Sequence, residues 1–253
     1  MAHTSKSKAF RLGLLVFIAL VVLTVVEFFL AVYLNVWLLL VIVALCKAGL
    51  VIYYYMHVYR LFQADTTLDR NSYAYKLATN RLGLWLFLVS DSFVFGGLMV
   101  ARINLLGLTH PHLEQTVGLI VTSVLLVSSF FMNRAETAIA HGKRNQFVAS
   151  TAITLILGIA FLVGVIGVEW RIAPFGPADG AHGAVFYSMT GFHAFHVFTG
   201  IIFLAIVLRN GLRGCYSSER HWGVEACAVY WHFVDVVWIF YYPALYLIGT
   251  VIE

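Results

Sequence analysis

Long apolar runs constrain the fold of this chain more than any other feature of its sequence. Seven runs of about 20 residues or more recur with short polar gaps, and a helix of about 20 apolar residues crosses the hydrocarbon core of a bilayer. The residues are 61% hydrophobic and 11% charged, whereas soluble domains average about 45–50% and about 25%. We therefore predict an all-α integral membrane protein with seven transmembrane helices and not a barrel, whose strands are shorter.

The predicted spans fall into two groups. They cover about residues 12–34, 36–59, 83–107, 116–138, 147–168, 182–209 and 225–252. The longest polar connection lies between the second and third spans. We therefore predict a two-helix hairpin in residues 1–62, a cytoplasmic connection in residues 63–82 and a five-helix bundle in residues 83–253.

The basic residues fall on one side of this topology. Thirteen of the sixteen Lys and Arg residues precede the first span or follow the second, fourth and sixth: Lys6, Lys8, Arg11, Arg60, Arg70, Lys76, Arg81, Arg134, Lys143, Arg144, Arg209, Arg213 and Arg220. Basic loops face the cytoplasm, so this pattern predicts a cytoplasmic N-terminus and an external C-terminus. The net charge of +4 follows from these loops and does not indicate nucleic-acid binding.

The last span carries the most distinctive motif, Tyr230-Trp-His-Phe-Val-Asp-Val-Val-Trp238. On a helix it places His232 and Asp235 on one face, with Glu225 two turns earlier. An ionisable side chain at membrane depth costs roughly 2.5–3.5 kcal/mol on insertion scales, so it usually faces protein and a partner. A helix-packing hydrogen bond and a proton or metal site both satisfy this motif, and the motif alone does not choose between them.

Other ionisable residues lie within or at the ends of apolar spans. Asp91 lies about two turns into the third span, Glu169 ends the fifth, and His193 and His196 are one turn apart in the sixth. Two such histidines can bind a metal or flank a haem. Hydrogen bonds to neighbouring helices are the simpler interpretation, because a catalytic metal site usually has a third protein ligand and supporting residues around it.

The hairpin carries one acid and one base at depth. Glu27 lies in the first span and Lys47 in the second, and opposite charges inside a membrane tend to pair. Lys47 can instead extend its ammonium toward an interface. A Glu27–Lys47 ion pair and a lysine that reaches an interface are therefore the two alternatives for this hairpin.

Three stretches of the bundle closely resemble subunit III of the haem–copper terminal oxidases. They are Trp85-Leu-Phe-Leu-Val-Ser-Asp91, Gly191-Phe-His-Ala-Phe-His-Val-Phe-Thr-Gly200 and the motif of the last span. Glu169 and Glu225 resemble two further acids of that family, and the resemblance covers about residues 83–252. Asp91 departs from the Glu common in cytochrome c oxidases and is similar to the form found in quinol oxidases, so the electron donor stays open.

The hairpin is similar to the small subunit IV of bacterial oxidases. The similarity rests on Leu23-Thr-Val-Val-Glu27 and on Cys46-Lys-Ala-Gly-Leu-Val-Ile-Tyr-Tyr-Tyr-Met-His57. It suggests a natural fusion of subunits IV and III. The alternative is an ordinary seven-helix subunit III whose first two helices have diverged.

The resemblance implies a subunit without a catalytic centre, haem, copper or metal of its own. Such a subunit packs on the catalytic subunit I and subunit II, which carry the haem and copper, holds phospholipid between its helix groups, and sustains proton uptake and turnover. Asp91, Glu169, His193, His196, Glu225, His232 and Asp235 would then serve packing or proton support. The implied location is a bacterial inner (plasma) membrane.

Two other classes of function remain open from the sequence. A haem b-type membrane enzyme would use His193 or His196 with His232 as axial ligands, although these residues differ in predicted depth. A transporter or channel would use Glu27, Lys47, Asp91 and Asp235 as a polar path, but the sequence has no inverted repeat. A Soret band of the isolated chain would identify the haem enzyme.

Overall fold

The computed structural model describes residues 6–34, 36–61, 72–111 and 113–251. Its long helices are α1 (Lys6–Tyr33), α2 (Trp37–Leu50), α3 (Tyr73–Leu106), α4 (Gln115–Ala140), α5 (Arg144–Leu162), α6 (Gly180–Leu212) and α7 (Trp222–Tyr242). With their extensions, all seven are long and apolar enough to cross a membrane. The predicted all-α membrane fold is therefore confirmed. Much of the predicted connection, residues 62–71, lies outside the described residues.

Three of the helices continue into wider π-helical turns. These extensions are Val51–Tyr55 after α2, Val163–Glu169 after α5 and Pro243–Leu247 after α7. A single α-helical turn, Trp170–Ile172, follows the second of them, and a 3-10 turn, Val58–Leu61, follows α2. Such wider turns are frequent at functional sites. Here they carry Tyr55, Glu169 and Tyr246, which belong to the buried polar groups described below.

The third helix begins earlier than the sequence predicted. It starts at Tyr73, not near residue 83, and the Ser72 hydroxyl caps it by accepting a hydrogen bond from the Tyr75 backbone N–H at 3.1 Å. Its 34 residues span about 51 Å at 1.5 Å per residue, more than the roughly 30 Å of hydrocarbon. Hydropathy marks only the membrane part of a helix, which is why the prediction missed these polar turns.

The last helix ends earlier than predicted. It was expected to run to residue 252, but the helical extension stops at Leu247 and a strand, β2 (Thr250–Val251), follows. This strand pairs in parallel with β1 (Thr109–His110), which follows α3. Gly249 lies between helix and strand with φ of 104°, a conformation that favours glycine and turns the chain away from the helix.

A buried arginine joins the segment that follows α3 to the segment that follows α7. Arg102, only 1% exposed, donates hydrogen bonds to the carbonyl oxygens of Gly107 (2.5 Å), Thr109 (2.8 Å), Ala244 (2.7 Å) and Ile248 (3.2 Å). The guanidinium is thus satisfied by carbonyls and not by a carboxylate. It ties the end of α3 to the chain that follows α7.

The central element of the fold is α7, which packs against α2, α3, α4 and α6. Its Trp231 lies between small residues of two neighbouring helices. A Cβ added at Gly158 of α5 or at Gly200 of α6 would lie 2.6 or 2.8 Å from the Trp231 ring. Small residues therefore make room for the Trp231 ring against α5 and α6. The hairpin leans on the same core, with α1 against α4 and α2 against α7.

Candidate functional site

An ion pair lies within the hairpin. Lys47 Nζ of α2 donates a hydrogen bond to Glu27 Oε2 of α1. The two side chains are 2% and 0% exposed, so the Lys47 ammonium stays at depth and does not extend to an interface. Each buried charge is compensated by the other, which is the usual arrangement for ionisable groups inside a membrane.

The motif of the last helix faces this hairpin and α4. His232 Nδ1 lies 3.0 Å from the Ser129 hydroxyl of α4, and its ring lies 5.0 Å from the ring of Tyr55, on the π-helical turn after α2. Asp235, one turn further along α7, interacts with the same Ser129 hydroxyl and with the Lys47 ammonium. His232 and Asp235 thus share Ser129 as a neighbour.

A second polar pair joins α3 and α6. Asp91 Oδ2 lies 3.2 Å from His196 Nε2. His196 Nδ1 lies 2.8 Å from the carbonyl oxygen of Phe192, so this nitrogen carries a proton, because a carbonyl only accepts. The remaining nitrogen, Nε2, faces the Asp91 carboxyl group, so the pair is an electrostatic contact between α3 and α6.

The other histidine of α6 has different neighbours. His193 is fully buried, and its ring lies 5.6 Å from the Phe161 ring and 4.9 Å from the Trp238 ring. The structure therefore places it among aromatic rings and not in the Asp91 pair. Across residues 6–34, 36–61, 72–111 and 113–251, no group of three or more His, Cys, Asp or Glu side chains is placed to hold a metal ion.

Glu169 lies apart from these pairs, on the π-helical turn after α5. Its side chain is buried and lines a pocket of about 100 Å³ together with Glu114 and Tyr246. Tyr246 of this pocket belongs to the π-helical turn after α7. The structure therefore links Glu169 to the end of α7 and not to the other predicted site residues.

Glu225 belongs to an ionic network that sequence reasoning missed. Arg81 binds it in a bidentate manner, with Nε and Nη2 at 2.7 and 2.9 Å, and Arg60 Nη1 lies 3.2 Å from it. The same Arg60 nitrogen lies 3.3 Å from Glu136. Local spacing gives no signal for these partners, because Arg81 and Glu225 are 144 positions apart.

Burial and charge act in opposite directions at the edge of this network. Burial lowers the pKa of His57, although Glu136 lies 4.0 Å from its ring nitrogen. Burial also opposes the charge of Arg60, but the carboxylates of Glu136 and Glu225 outweigh it and raise the pKa of that guanidinium. The network therefore contains two permanent cations held by two acids, with a histidine disfavoured from charging beside them.

An apolar groove lies between α3 and α7. Its volume is about 250 Å³, and its walls are formed mainly by Phe95, Met99, Phe233, Val237 and Phe240. Gly96 opens the groove, since a Cβ added there would meet nothing within 4 Å. The groove is therefore lined mainly by apolar side chains, and one of its walls is α3, the helix that carries Asp91.

Comparison with known proteins gives a consistent set of similarities. A family model described as cytochrome c oxidase subunit III matches residues 2–250. The chain is 39% identical over 183 residues to cytochrome c oxidase subunit 3 of Cyprinus carpio, covering 67% of this chain and 70% of the carp protein. It is 39% identical over 190 residues to the protein of that name from Branchiostoma lanceolatum, covering 70% of this chain and 72% of the relative.

Proposed function

This chain belongs to the cytochrome c oxidase subunit III family, and we propose that it serves as a non-catalytic membrane subunit of a haem–copper terminal oxidase. In this role it packs on subunits I and II, which carry the haem and copper, and supports assembly, lipid binding, proton uptake and sustained turnover. The family match over residues 2–250 carries the proposal. The polar residues at depth then stabilise helix contacts or hold protons, and none of them forms a reaction centre.

Purification through a tag on the full chain tests this function. We expect the chain to bring down a partner that contains haem and reduces oxygen. Replacing His193 or His232 by Gln should leave the haem and metal content of that complex unchanged, because both rings pack within the protein. A Soret band that stays with the chain after its partners are removed would favour a haem b-type membrane enzyme instead.

We propose that phospholipid acyl chains occupy the α3–α7 groove, because it is apolar and lies at membrane depth. Gly96→Leu should fill the groove without a steric clash, since a Cβ at residue 96 meets open space. Native mass spectrometry of the complex in mild detergent should then show fewer retained phospholipids than in the wild type. Gly97→Leu is the matched control, because residue 97 is equally open but does not line the groove. Equal lipid loss in both variants would contradict the assignment.

We propose a cytoplasmic N-terminus and an external C-terminus, from the one-sided distribution of Lys and Arg. The proposed membrane is the bacterial inner (plasma) membrane, on the resemblance of the hairpin to bacterial subunit IV. Reporter proteins fused to the two ends should report opposite compartments, since the described residues contain seven candidate spans, an odd number. Matching compartments would contradict this orientation.

Two origins of the hairpin are proposed: divergence within an ordinary subunit III, and fusion of subunits IV and III. The family match includes the hairpin, which supports an ordinary seven-helix subunit III. The fusion of subunits IV and III is supported by the Cys46–His57 motif and by the buried ion pair of Lys47 with Glu27. A separate subunit IV in the purified complex would contradict the fusion.

Two electron donors are proposed for the complex, cytochrome c and a quinol. The names of the matched relatives favour cytochrome c for the complex. Asp91 favours a quinol, because the resemblance associates an acid of this length with quinol oxidases. Oxidation of reduced cytochrome c by the purified complex, compared with oxidation of a quinol, decides between them.

A further inference from the structure

The pocket that Glu169 lines is built from three separate segments of the chain. Glu114 immediately precedes α4, Glu169 lies on the π-helical turn after α5, and Tyr246 lies on the π-helical turn after α7. Ile172 and Pro174 add apolar wall. The volume of about 100 Å³ exceeds the roughly 10–15 Å³ that one buried water needs. The pocket therefore has room for a small ligand together with water.

Glu169 is a buried acid without a protein partner in the described part of the chain. It is 4% exposed, and neither of its carboxylate oxygens has a hydrogen-bond partner among the described residues. It also forms no ion pair with any of them. Arg102, a buried cation of the segments beside α3 and α7, donates to backbone carbonyls and does not line the pocket. Because buried polar groups are nearly always paired and buried charges are costly unless compensated, Glu169 indicates a ligand in the pocket.

The other polar groups of the pocket are also oxygens. Tyr246 is 2% exposed and close enough to Glu169 for an electrostatic interaction, and its hydroxyl likewise has no hydrogen-bond partner among the described residues. Glu114 is exposed and brings a second carboxylate to the same pocket. No histidine or cysteine is among the described residues that line it. Carboxylate and hydroxyl oxygens without nitrogen or sulfur ligands suit a hard cation and not zinc or copper.

We propose that this pocket binds one Ca²⁺ ion, with the Glu169 carboxylate as its inner ligand and the Tyr246 hydroxyl and Glu114 carboxylate as further ligands. Two carboxylates balance the double charge, and Ca²⁺ completes its roughly six to eight oxygen ligands with backbone carbonyls and water. Ca²⁺ accepts irregular geometry, whereas Mg²⁺ demands a near-ideal octahedron. The ion is structural: it holds the start of α4 to the ends of the α5 and α7 extensions. The inference does not rest on the proposed oxidase function.

Equilibrium dialysis of the purified full chain in detergent against radioactive Ca²⁺, after treatment with a chelator, tests this site. The wild type should bind one Ca²⁺ per chain. Glu169→Gln should bind it about tenfold more weakly or worse, because the affinity of such sites follows the number of charged ligands. Glu114→Gln changes an exposed side chain and should weaken binding in the same direction. Glu219→Gln is the matched control, because it makes the same change at an exposed acid that does not line the pocket.

Thermal denaturation of the same samples separates loss of binding from loss of folding. Added Ca²⁺ should raise the midpoint of the wild type, since an ion that binds the folded state stabilises it, and should not move that of Glu169→Gln. Without Ca²⁺, Glu169→Gln should be at least as stable as the wild type, because it replaces an uncompensated buried charge by a neutral group of the same shape. Equal Ca²⁺ binding by the wild type and Glu169→Gln would overturn the proposal. So would a wild-type midpoint that Ca²⁺ does not move, which would identify Glu169 as a neutral buried acid.

Discussion

The Lys47→Met variant is expected to lose about 3–5 kcal/mol of stability, the cost of leaving one member of a buried ion pair without its partner. Lys47 is the hydrogen-bond donor to Glu27, and both side chains are buried. Lys47 also interacts with Asp235, so its removal leaves two acids at depth with less compensation. The thermal denaturation midpoint of the purified chain in detergent should fall by on the order of 10 °C.

A double substitution separates the charge from the packing. In Glu27→Gln/Lys47→Met no charge is left within the hairpin pair, so most of the lost stability should return. Glu219→Gln, a change of an exposed acid in the connection before α7, should leave the midpoint unchanged. If the double variant is no more stable than Lys47→Met alone, the ion pair does not account for the loss.

The number and type of the helices could be predicted from the sequence, because apolar runs of membrane length have few alternative structures. The start of α3 at Tyr73 could not, because its first turns are polar and carry no hydropathy signal. Similarly, the chain after Leu247 is apolar enough to resemble a continued helix. Its course depends on Gly249, on strand pairing with β1 and on the carbonyl contacts of Arg102.

For the candidate site, local spacing identified the residues but not their partners. The spacing of His232 and Asp235 places both on one helical face, and the structure adds Ser129 as their shared neighbour. The same rule placed His193 beside His196, yet only His196 faces Asp91. Partners that lie far apart in the chain, such as Arg81 and Glu225, come together only through helix packing.

Asp91→Ala is expected to have the largest effect on function while leaving the complex assembled. The substitution removes the carboxyl group that lies 3.2 Å from His196 Nε2 and so removes the acid of the α3–α6 contact. Under the proposed function, the chain supports proton uptake and sustained turnover and takes no part in electron transfer. Activity during sustained oxygen reduction should therefore decline severalfold faster than in the wild type.

A neighbouring substitution provides the matched control for this variant. Ser92→Ala changes the next residue of α3, whose hydroxyl donates to backbone carbonyls of its own helix, at Leu88 and Val89. It should leave both the initial rate and the decline of activity as in the wild type. A similar decline in Ser92→Ala would indicate a general weakening of α3.

The most direct test of the supporting role is the time course of oxygen consumption by the assembled complex that carries Asp91→Ala, measured with its haem content. We predict a normal haem content, normal first turnovers and an accelerated loss of activity afterwards. Abolished first turnovers at normal haem content would contradict the account, because Asp91 would then belong to the obligatory proton path.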